Sequence, residues 1–171
     1  MTPSLILTER SSPIGPLGLA FDTEGRLRGV SFGPGLDRAM ARTYPGAARQ
    51  AGAAPEATAQ ALDAYFDGEI AALSRIAWSL DGAAGAEGFN GRVWRELARV
   101  PGGTTLSYGE MARRAGEAGA AQAAGVALNR NPLALVLPCH RVIGADGGLV
   151  GFGGGLERKT WLLRHEGALL I

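Results

Sequence analysis

A run of small residues, DGAAGAEG at positions 81–88, interrupts the chain near its middle. Segments rich in glycine and alanine are typical of linkers, so this one predicts a boundary between two folding units. The 171 residues are enough for one domain of ordinary size, or for two small domains that share a core. We therefore expect one domain over residues 1–82 and a second over residues 87–171.

The two halves carry different structural patterns. In the first half, apolar residues alternate on both sides of a turn at 23–25, which predicts a β-hairpin over residues 14–32. Pro55 favours the start of a helix, because proline is common in the first helical turn. The apolar run from Ile70 to Leu80 is predicted as a further strand.

The second half is predominantly helical. Apolar residues at helical spacing predict a helix that begins at Phe89. Ser107 with Glu110 three residues later forms a capping box, which predicts the start of a second helix. A short turn then leads into an alanine-rich helix over 120–129, an order typical of a helix-turn-helix and of many other helical hairpins. A last helix is predicted over 156–166.

Composition excludes several classes of protein. With 46% hydrophobic residues the chain is too apolar for a disordered protein. It has no apolar run of the roughly 18 residues that a membrane helix needs, and its first residues lack the basic start of a signal peptide. These features predict a globular, cytoplasmic protein.

Charge is distributed unevenly along the chain. Residues 1–87 contain seven Arg against ten acidic residues, a balance of about −3. Residues 88–171 contain nine Arg and one Lys against six acidic residues, a balance of about +4. The second half is therefore the one suited to a polyanionic partner, and Arg92, Arg95 and Arg99 are either phosphate contacts or one solvated helix face.

A single cysteine, Cys139, stands directly before His140 and Arg141. One cysteine forms no intrachain disulfide, and one cysteine with two histidines predicts no thiolate-rich zinc site. A neighbouring base or cation can generate the reactive thiolate, but adjacent side chains in a strand point to opposite faces. Coupling of Cys139 to His140 thus requires a bridging water or a kink, for which Pro138 is suited. The residues alone leave two readings open, a buried structural cysteine and a nucleophile.

Beyond these residues, longer segments resemble one protein family. The stretch PCHRVIG, Pro138 to Gly144, is similar to the active-site signature of the O-6-alkylguanine-DNA alkyltransferases, single-turnover DNA-repair proteins. The resemblance extends without gaps from Phe89 to Gly167 through FNGRVWRELARVPGGTTLSYGEMA, NRNP and GFGGGLERKTWLLRHEG, and the N-terminal half is also similar. It implies an α+β fold, with a small ribonuclease-H-like N-terminal sheet domain and a mainly helical C-terminal domain that carries a helix-turn-helix.

The resemblance implies a role for each matching residue. Cys139 would accept the alkyl group from O-6-alkylguanine, and from O-4-alkylthymine, after His140 removes the thiol proton through a water molecule. Glu166 would orient His140, Asn131 would brace the turn that presents the cysteine, and Tyr108 would hydrogen-bond to the flipped base. Substrate or DNA contacts would come from Ser107, Ala121, Gln122, Gly125, Arg130, Arg141, Val142, Phe152 and Gly153. The implied protein is a monomer that needs no cofactor or metal, binds double-stranded DNA containing alkylated guanine, and does not bind membranes.

One position departs from the family pattern. The family has an arginine in the third helix that fills the gap left by the flipped base, and Gln122 stands at that place here. Glutamine fills space and forms hydrogen bonds but has no charge, so we expect weaker DNA binding or less efficient flipping, with the chemistry retained. An alternative function is a lesion-binding module with impaired transfer. A cysteine hydrolase is a third reading, but no oxyanion-hole pattern supports it.

Overall fold

The computed structural model describes residues 2–148 and 154–169, and these form two compact units. The first unit comprises Met1–Ala84 and Pro132–Val136, and the second comprises Gly85–Asn131 and Leu137–Ile171. The boundary between Ala84 and Gly85 lies inside the predicted break. Residues 132–136, which the sequence placed in the second domain, belong to the first unit, because Val30 N–H donates to the carbonyl of Pro132 at 2.8 Å.

The first unit is built on a four-stranded sheet. Its strands are β1 (Leu5–Arg10), β2 (Leu17–Phe21), β3 (Leu27–Phe32) and β4 (Arg49–Ala51), in the order β3-β2-β1-β4. β1 pairs antiparallel with β2, β2 pairs antiparallel with β3, and β4 pairs parallel with β1. The predicted hairpin is therefore confirmed as β2 and β3.

Two helices complete the first unit, α1 (Leu36–Thr43) and α2 (Glu56–Phe66). Pro55 caps α2 at its N-terminus, as expected from the fixed φ of proline. The prediction of a strand over 70–80 is wrong for its first part, which forms a 3₁₀ helix, Ile70–Arg75. This segment satisfies its backbone locally, since Ile76 N–H donates to the carbonyl of Leu73 at 3.2 Å.

The second unit is mostly helical. Its helices are α3 (Phe89–Leu97), α4 (Tyr108–Arg114), α5 (Ala121–Asn129) and α6 (Leu156–His165). A short parallel pair of strands, β5 (Leu106–Ser107) and β6 (Val142–Ile143), joins two distant segments of this unit. The described residues thus form a mixed α+β fold, as predicted, and none of their helices combines the length and apolarity needed to cross a bilayer.

Close packing fixes α3 within the second unit. Trp94 is buried and donates its indole N–H to the carbonyl of Ala127 on α5 at 2.8 Å. Gly91 allows α3 to approach the preceding loop, because a side-chain carbon there would lie 1.8 Å from the carbonyl oxygen of Ala86. The Trp94 hydrogen bond joins α3 to α5, and the Gly91 contact joins α3 to the loop that precedes it.

The start of α4 forms as the sequence predicts. The Ser107 hydroxyl oxygen accepts a hydrogen bond from Glu110 N–H at 3.1 Å, which satisfies one of the free amides at the helix start. α4 packs against α5 across the turn at 115–120.

Candidate active site

Cys139 lies in a tight turn rather than in a strand. Residues Cys139–Arg141 form a single turn of 3₁₀ helix, in which Arg141 N–H donates to the carbonyl of Pro138 at 3.0 Å. Successive side chains in such a turn are about 120° apart rather than opposed. The kink that the coupling of Cys139 with His140 requires is therefore present.

Two side chains of this turn, His140 and Arg141, form a buried network with Glu166 at the end of α6. The Nε2 atom of His140 lies 2.8 Å from Oε2 of Glu166, and both side chains have no exposed surface. Arg141 donates from Nε to Oε1 of Glu166 at 2.8 Å and from Nη2 to Oε2 at 2.9 Å. Its third nitrogen, Nη1, donates to the carbonyl of Val100 at 2.6 Å.

The protonation of Glu166 follows from these contacts. Burial acts to raise the pKa of Glu166, but hydrogen bonds from His140 and Arg141 outweigh it and lower the pKa to about 2. Glu166 is therefore an ionised carboxylate at neutral pH, and a carboxylate only accepts hydrogen bonds. The proton between Glu166 and His140 consequently sits on Nε2 of the imidazole.

That tautomer leaves the other ring nitrogen of His140 as an acceptor. Burial lowers the pKa of His140, with Arg141 and Lys159 acting in the same direction and Glu166 opposing them, so the ring is neutral at neutral pH. Its Nδ1 atom is buried and has no hydrogen-bond partner among residues 2–148 and 154–169. A neutral imidazole with a bare, buried nitrogen is a base held ready for a proton.

The thiol of Cys139 lies among groups that favour its ionised form. Burial raises the pKa of Cys139, while a hydrogen bond from the Asn131 side chain and the charge of Lys159 act to lower it. Asn131 also donates from its side-chain nitrogen to the carbonyl of Leu137 at 2.8 Å, two residues before the cysteine. Burial prevails, so the thiol carries its proton at rest and needs a base to become a nucleophile.

Lys159 is a component of the site that the sequence prediction missed. It is fully buried and donates from Nζ to the carbonyl of Val142 at 2.7 Å. Lys159, Leu162, Leu163 and Glu166 follow the spacing i, i+3, i+4, i+7 and are all buried. Two charged residues in the buried stripe of a helix were the available signal, because such groups are rarely buried without a partner.

Tyr108, the first residue of α4, borders the same region. It is half-buried, and burial raises its pKa, so its hydroxyl keeps its proton and can donate. Gly125 on α5 faces the tyrosine ring, and a side-chain carbon there would lie 3.8 Å from the ring. The phenol therefore lies against α5.

The remaining predicted contact residues occupy several environments. Gln122 and Arg130 are exposed on and just after α5, Ala121 is half-exposed at its start, and the Ser107 hydroxyl oxygen caps α4. Phe152 and Gly153 lie outside the described residues.

Arg141 and Val142, both predicted contacts, bind other groups of the protein in the structure. The sequence assigns Arg141 to substrate or DNA contact, but its guanidinium is buried on Glu166 and on the carbonyl of Val100. Val142 is predicted to contact substrate or DNA, and in the structure its carbonyl accepts a hydrogen bond from Lys159. Within residues 2–148 and 154–169, no three His, Cys, Asp or Glu side chains lie close enough together to hold a metal ion.

Comparisons with known proteins show which proteins this chain is similar to. Residues 88–168 match the family model described as 6-O-methylguanine DNA methyltransferase, DNA binding domain. The chain is 38% identical over 166 residues to the methylated-DNA–protein-cysteine methyltransferase of Salmonella typhimurium, covering 94% of this chain and 95% of that one. The protein of the same name from Mycobacterium leprae is 47% identical over 155 residues, covering 91% and 88%. A crystal structure of Mycobacterium tuberculosis OGT in complex with DNA matches with a TM-score of 0.72 and 36% identity, covering 95% and 92%.

Proposed function

Because the chain belongs to the methylated-DNA–protein-cysteine methyltransferase family, we propose that it repairs O-6-alkylguanine in DNA by transferring the alkyl group to Cys139. O-4-alkylthymine is a second substrate of the same chemistry. The alkylated cysteine is a thioether that water does not readily cleave, so each molecule acts once. The single observation that carries this function is the contact of His140 Nε2 with Glu166 beside the only cysteine of the chain, with Nδ1 unpaired among the residues that the structure describes.

The transfer is a displacement at the alkyl carbon. The Cys139 thiol passes its proton through a water molecule to Nδ1 of His140, and the resulting imidazolium is stabilised by ionised Glu166. The thiolate then forms an S–C bond while the C–O6 bond of the guanine breaks, and the bonding electrons leave with the base. Tyr108 donates a hydrogen bond to that base, which reduces the negative charge on the leaving group.

Access to the lesion requires that the nucleotide leaves the duplex. We assign α4 and α5 to a helix-turn-helix that binds the minor groove, and the small N-terminal sheet to a ribonuclease-H-like arrangement. The exposure of Gln122 on α5 is consistent with a residue that fills the gap left by the flipped base. Since Gln122 has no charge, we expect Gln122→Arg to tighten DNA binding and to speed repair, with Gln122→Ala as the opposing variant. Equal rates and affinities in all three proteins would remove Gln122 from this role.

The direct test is the mass of the protein after reaction. Incubation with a duplex containing O-6-methylguanine should add one methyl group to the peptide that contains Cys139. Cys139→Ser should bind the same duplex and gain no mass, because a serine hydroxyl is a far weaker nucleophile. Unmodified protein after long incubation with excess duplex would contradict the transferase function.

The same experiment decides between the functions considered. The lesion-binding alternative predicts binding without added mass. The relatives from Salmonella typhimurium, Mycobacterium leprae and Methanosarcina acetivorans are named methylated-DNA–protein-cysteine methyltransferases and give it no support. A cysteine hydrolase would turn over repeatedly and leave the cysteine free. No feature of the described site favours either alternative over alkyl transfer.

A further inference from the structure

Arg141 is placed to control the base of the site without touching a substrate. The residue is 6% exposed, and its guanidinium binds both carboxylate oxygens of Glu166. The remaining nitrogen, Nη1, is anchored to the carbonyl of Val100, just after α3. The planar guanidinium thus holds the carboxylate of Glu166 by two hydrogen bonds, and is itself held by the backbone carbonyl of Val100.

This clamp restricts what Glu166 can do to His140. A buried carboxylate bonded only to an imidazole can rotate, and it can also draw a proton onto the ring by stabilising the imidazolium. Bidentate bonding to Arg141 fixes the carboxylate plane with Oε2 towards Nε2 of His140, at 2.8 Å. The positive charge of Arg141 also opposes a second proton on the ring.

We propose that Arg141 is a positioning residue that holds Glu166 on Nε2 of His140, and thereby keeps Nδ1 as the proton acceptor for Cys139. The inference deepens the proposed function and rests on it for its catalytic consequence. Its structural part, the tautomer and charge of His140, is testable without DNA. Arg141 therefore belongs to the mechanism through Glu166 rather than as a contact to DNA.

Among the described residues, the titratable groups that act on His140 come from α6 and its end and from the turn of His140 itself. Glu166 and Lys159 approach from α6 and its end, and Arg141 and Cys139 come from the same turn as His140. Tyr108 approaches Cys139 from α4. Lys159 opposes protonation of His140 as Arg141 does, and it donates to the carbonyl of Val142. Arg141 combines its charge with two hydrogen bonds to the carboxylate of Glu166.

The decisive measurement is the nitrogen spectrum of isotope-labelled histidine in the protein without DNA. The chain contains two histidines, so His165→Gln identifies the signals of His140. In the wild type we expect a neutral ring with hydrogen on Nε2 and none on Nδ1. In Arg141→Met we expect a mixture of tautomers and protonation of the ring at higher pH than in the wild type. The matched control, Arg164→Met, removes an exposed arginine from α6 and should change neither property.

Arg141→Lys provides a second variant that keeps a cation in the buried site. A lysine carries the charge but cannot bond both carboxylate oxygens in the plane of the guanidinium. We expect it to retain most of the low protonation of the ring while losing part of the preference for hydrogen on Nε2. A spectrum of His140 identical to the wild type in both folded variants would overturn the proposal.

The kinetic consequence separates positioning from general damage to the fold. Arg141→Met should slow methyl transfer at neutral pH by roughly 10- to 100-fold, with the deficit shrinking as pH rises and the ring loses its extra proton. A merely structural role predicts an equal deficit at every pH, which would also overturn the proposal. Should the wild type gain no methyl group at all, the proposed function fails, while the histidine spectra still decide whether Arg141 fixes the tautomer.

Discussion

Each unit of the molecule contains a buried carboxylate held by arginine: Asp22 with Arg28 in the first, and Glu166 with Arg141 in the second. In both pairs the distance between the arginine Nε and a carboxylate oxygen is 2.8 Å, and each of the four side chains is less than a tenth exposed. The two pairs thus share their chemistry and their burial. They differ in what the remaining hydrogen-bonding capacity of each carboxylate is used for.

Asp22 directs its capacity to the local chain. Its Oδ1 accepts from the backbone N–H groups of Glu24 and Arg26 at 2.9 and 3.0 Å, and its Oδ2 accepts from the side chains of Arg26 and Arg28. Burial acts to raise the pKa of Asp22, but these hydrogen bonds outweigh it and lower the pKa. Every partner lies within the β2–β3 hairpin, so this carboxylate stabilises a turn.

Glu166 directs its capacity to groups far away in sequence. Its partners His140 and Arg141 are 26 and 25 residues distant in sequence. The second ring nitrogen of His140, Nδ1, has no hydrogen-bond partner among the described residues. A buried polar atom that is left unpaired costs stability, and such costs are concentrated at functional sites. The comparison teaches that a buried ion pair by itself indicates structure, and that the unpaired atom beside it indicates chemistry.

Replacing the two carboxylates should have different consequences, a loss of transfer rate for Glu166 and a loss of stability for Asp22. Glu166→Gln removes the charge that stabilises protonated His140, so transfer to Cys139 should slow by roughly 100- to 1,000-fold. Asp22→Asn breaks a buried pair in the other unit and should cost about 3–5 kcal/mol of unfolding free energy, with an unchanged transfer rate per folded molecule. Single-turnover repair rates and urea unfolding of the same samples measure both effects.

The opposite pattern of repair rates and unfolding free energies would contradict this distinction between the two carboxylates. A slow but fully folded Asp22→Asn protein would mean that the first-unit pair acts on the chemistry. Normal transfer by folded Glu166→Gln would mean that His140 works without its carboxylate. The Glu24→Gln variant, which alters an exposed carboxylate of the same hairpin, controls for charge removal and should change neither readout.

A smaller effect is expected in acid. The pKa of Glu166 is about 2 in the folded chain against an ordinary value of 4.5, so its ion pair contributes stability above pH 4.5 that is lost as pH falls towards 2. The loss is on the order of 3 kcal/mol. Asp22 has a lowered pKa too, and therefore contributes with the same sign. Urea unfolding across this range should show a shallower pH dependence in Glu166→Gln than in the wild type, and an equal slope would contradict the lowered pKa.

Features of each unit that depend on residues close in sequence could be predicted from the sequence. The β2–β3 hairpin depends on alternation and on a turn within a few residues, and the cap of α4 depends on Ser107 and Glu110 three positions apart. Such features are decided by neighbours in the chain. The strand predicted over 70–80 is wrong for its first part, because an apolar run is compatible with several local structures. What decides between them is a contact distant in sequence, the bridge of Trp78 to Leu27 at the edge of β3.

The non-local parts could not be derived from residue patterns. Resemblance supplied the roles of Cys139, His140 and Glu166, but neither pattern nor resemblance showed that Arg141 turns inward to Glu166. An arginine after a histidine is equally compatible with a phosphate contact and with a buried clamp. The choice depends on where α6 packs, and so does the burial of Lys159. Tertiary packing therefore decides which charges serve the site.

The smallest effects are expected when a tyrosine is replaced by phenylalanine, at Tyr44 in the first unit and at Tyr108 in the second. Tyr44 is buried and donates its hydroxyl to the carbonyl of Arg28 at 3.1 Å, so Tyr44→Phe should cost about 1 kcal/mol and lower Tm by about 2–4 °C, with no change in transfer. Tyr108→Phe removes the same atom from a half-buried ring beside Cys139. It should slow transfer several-fold, because the leaving base loses its donor. Calorimetry and single-turnover rates on the two variants would sharpen the distinction, and a Tm loss without a rate loss in Tyr108→Phe would place that hydroxyl with the structural hydrogen bonds of the first unit.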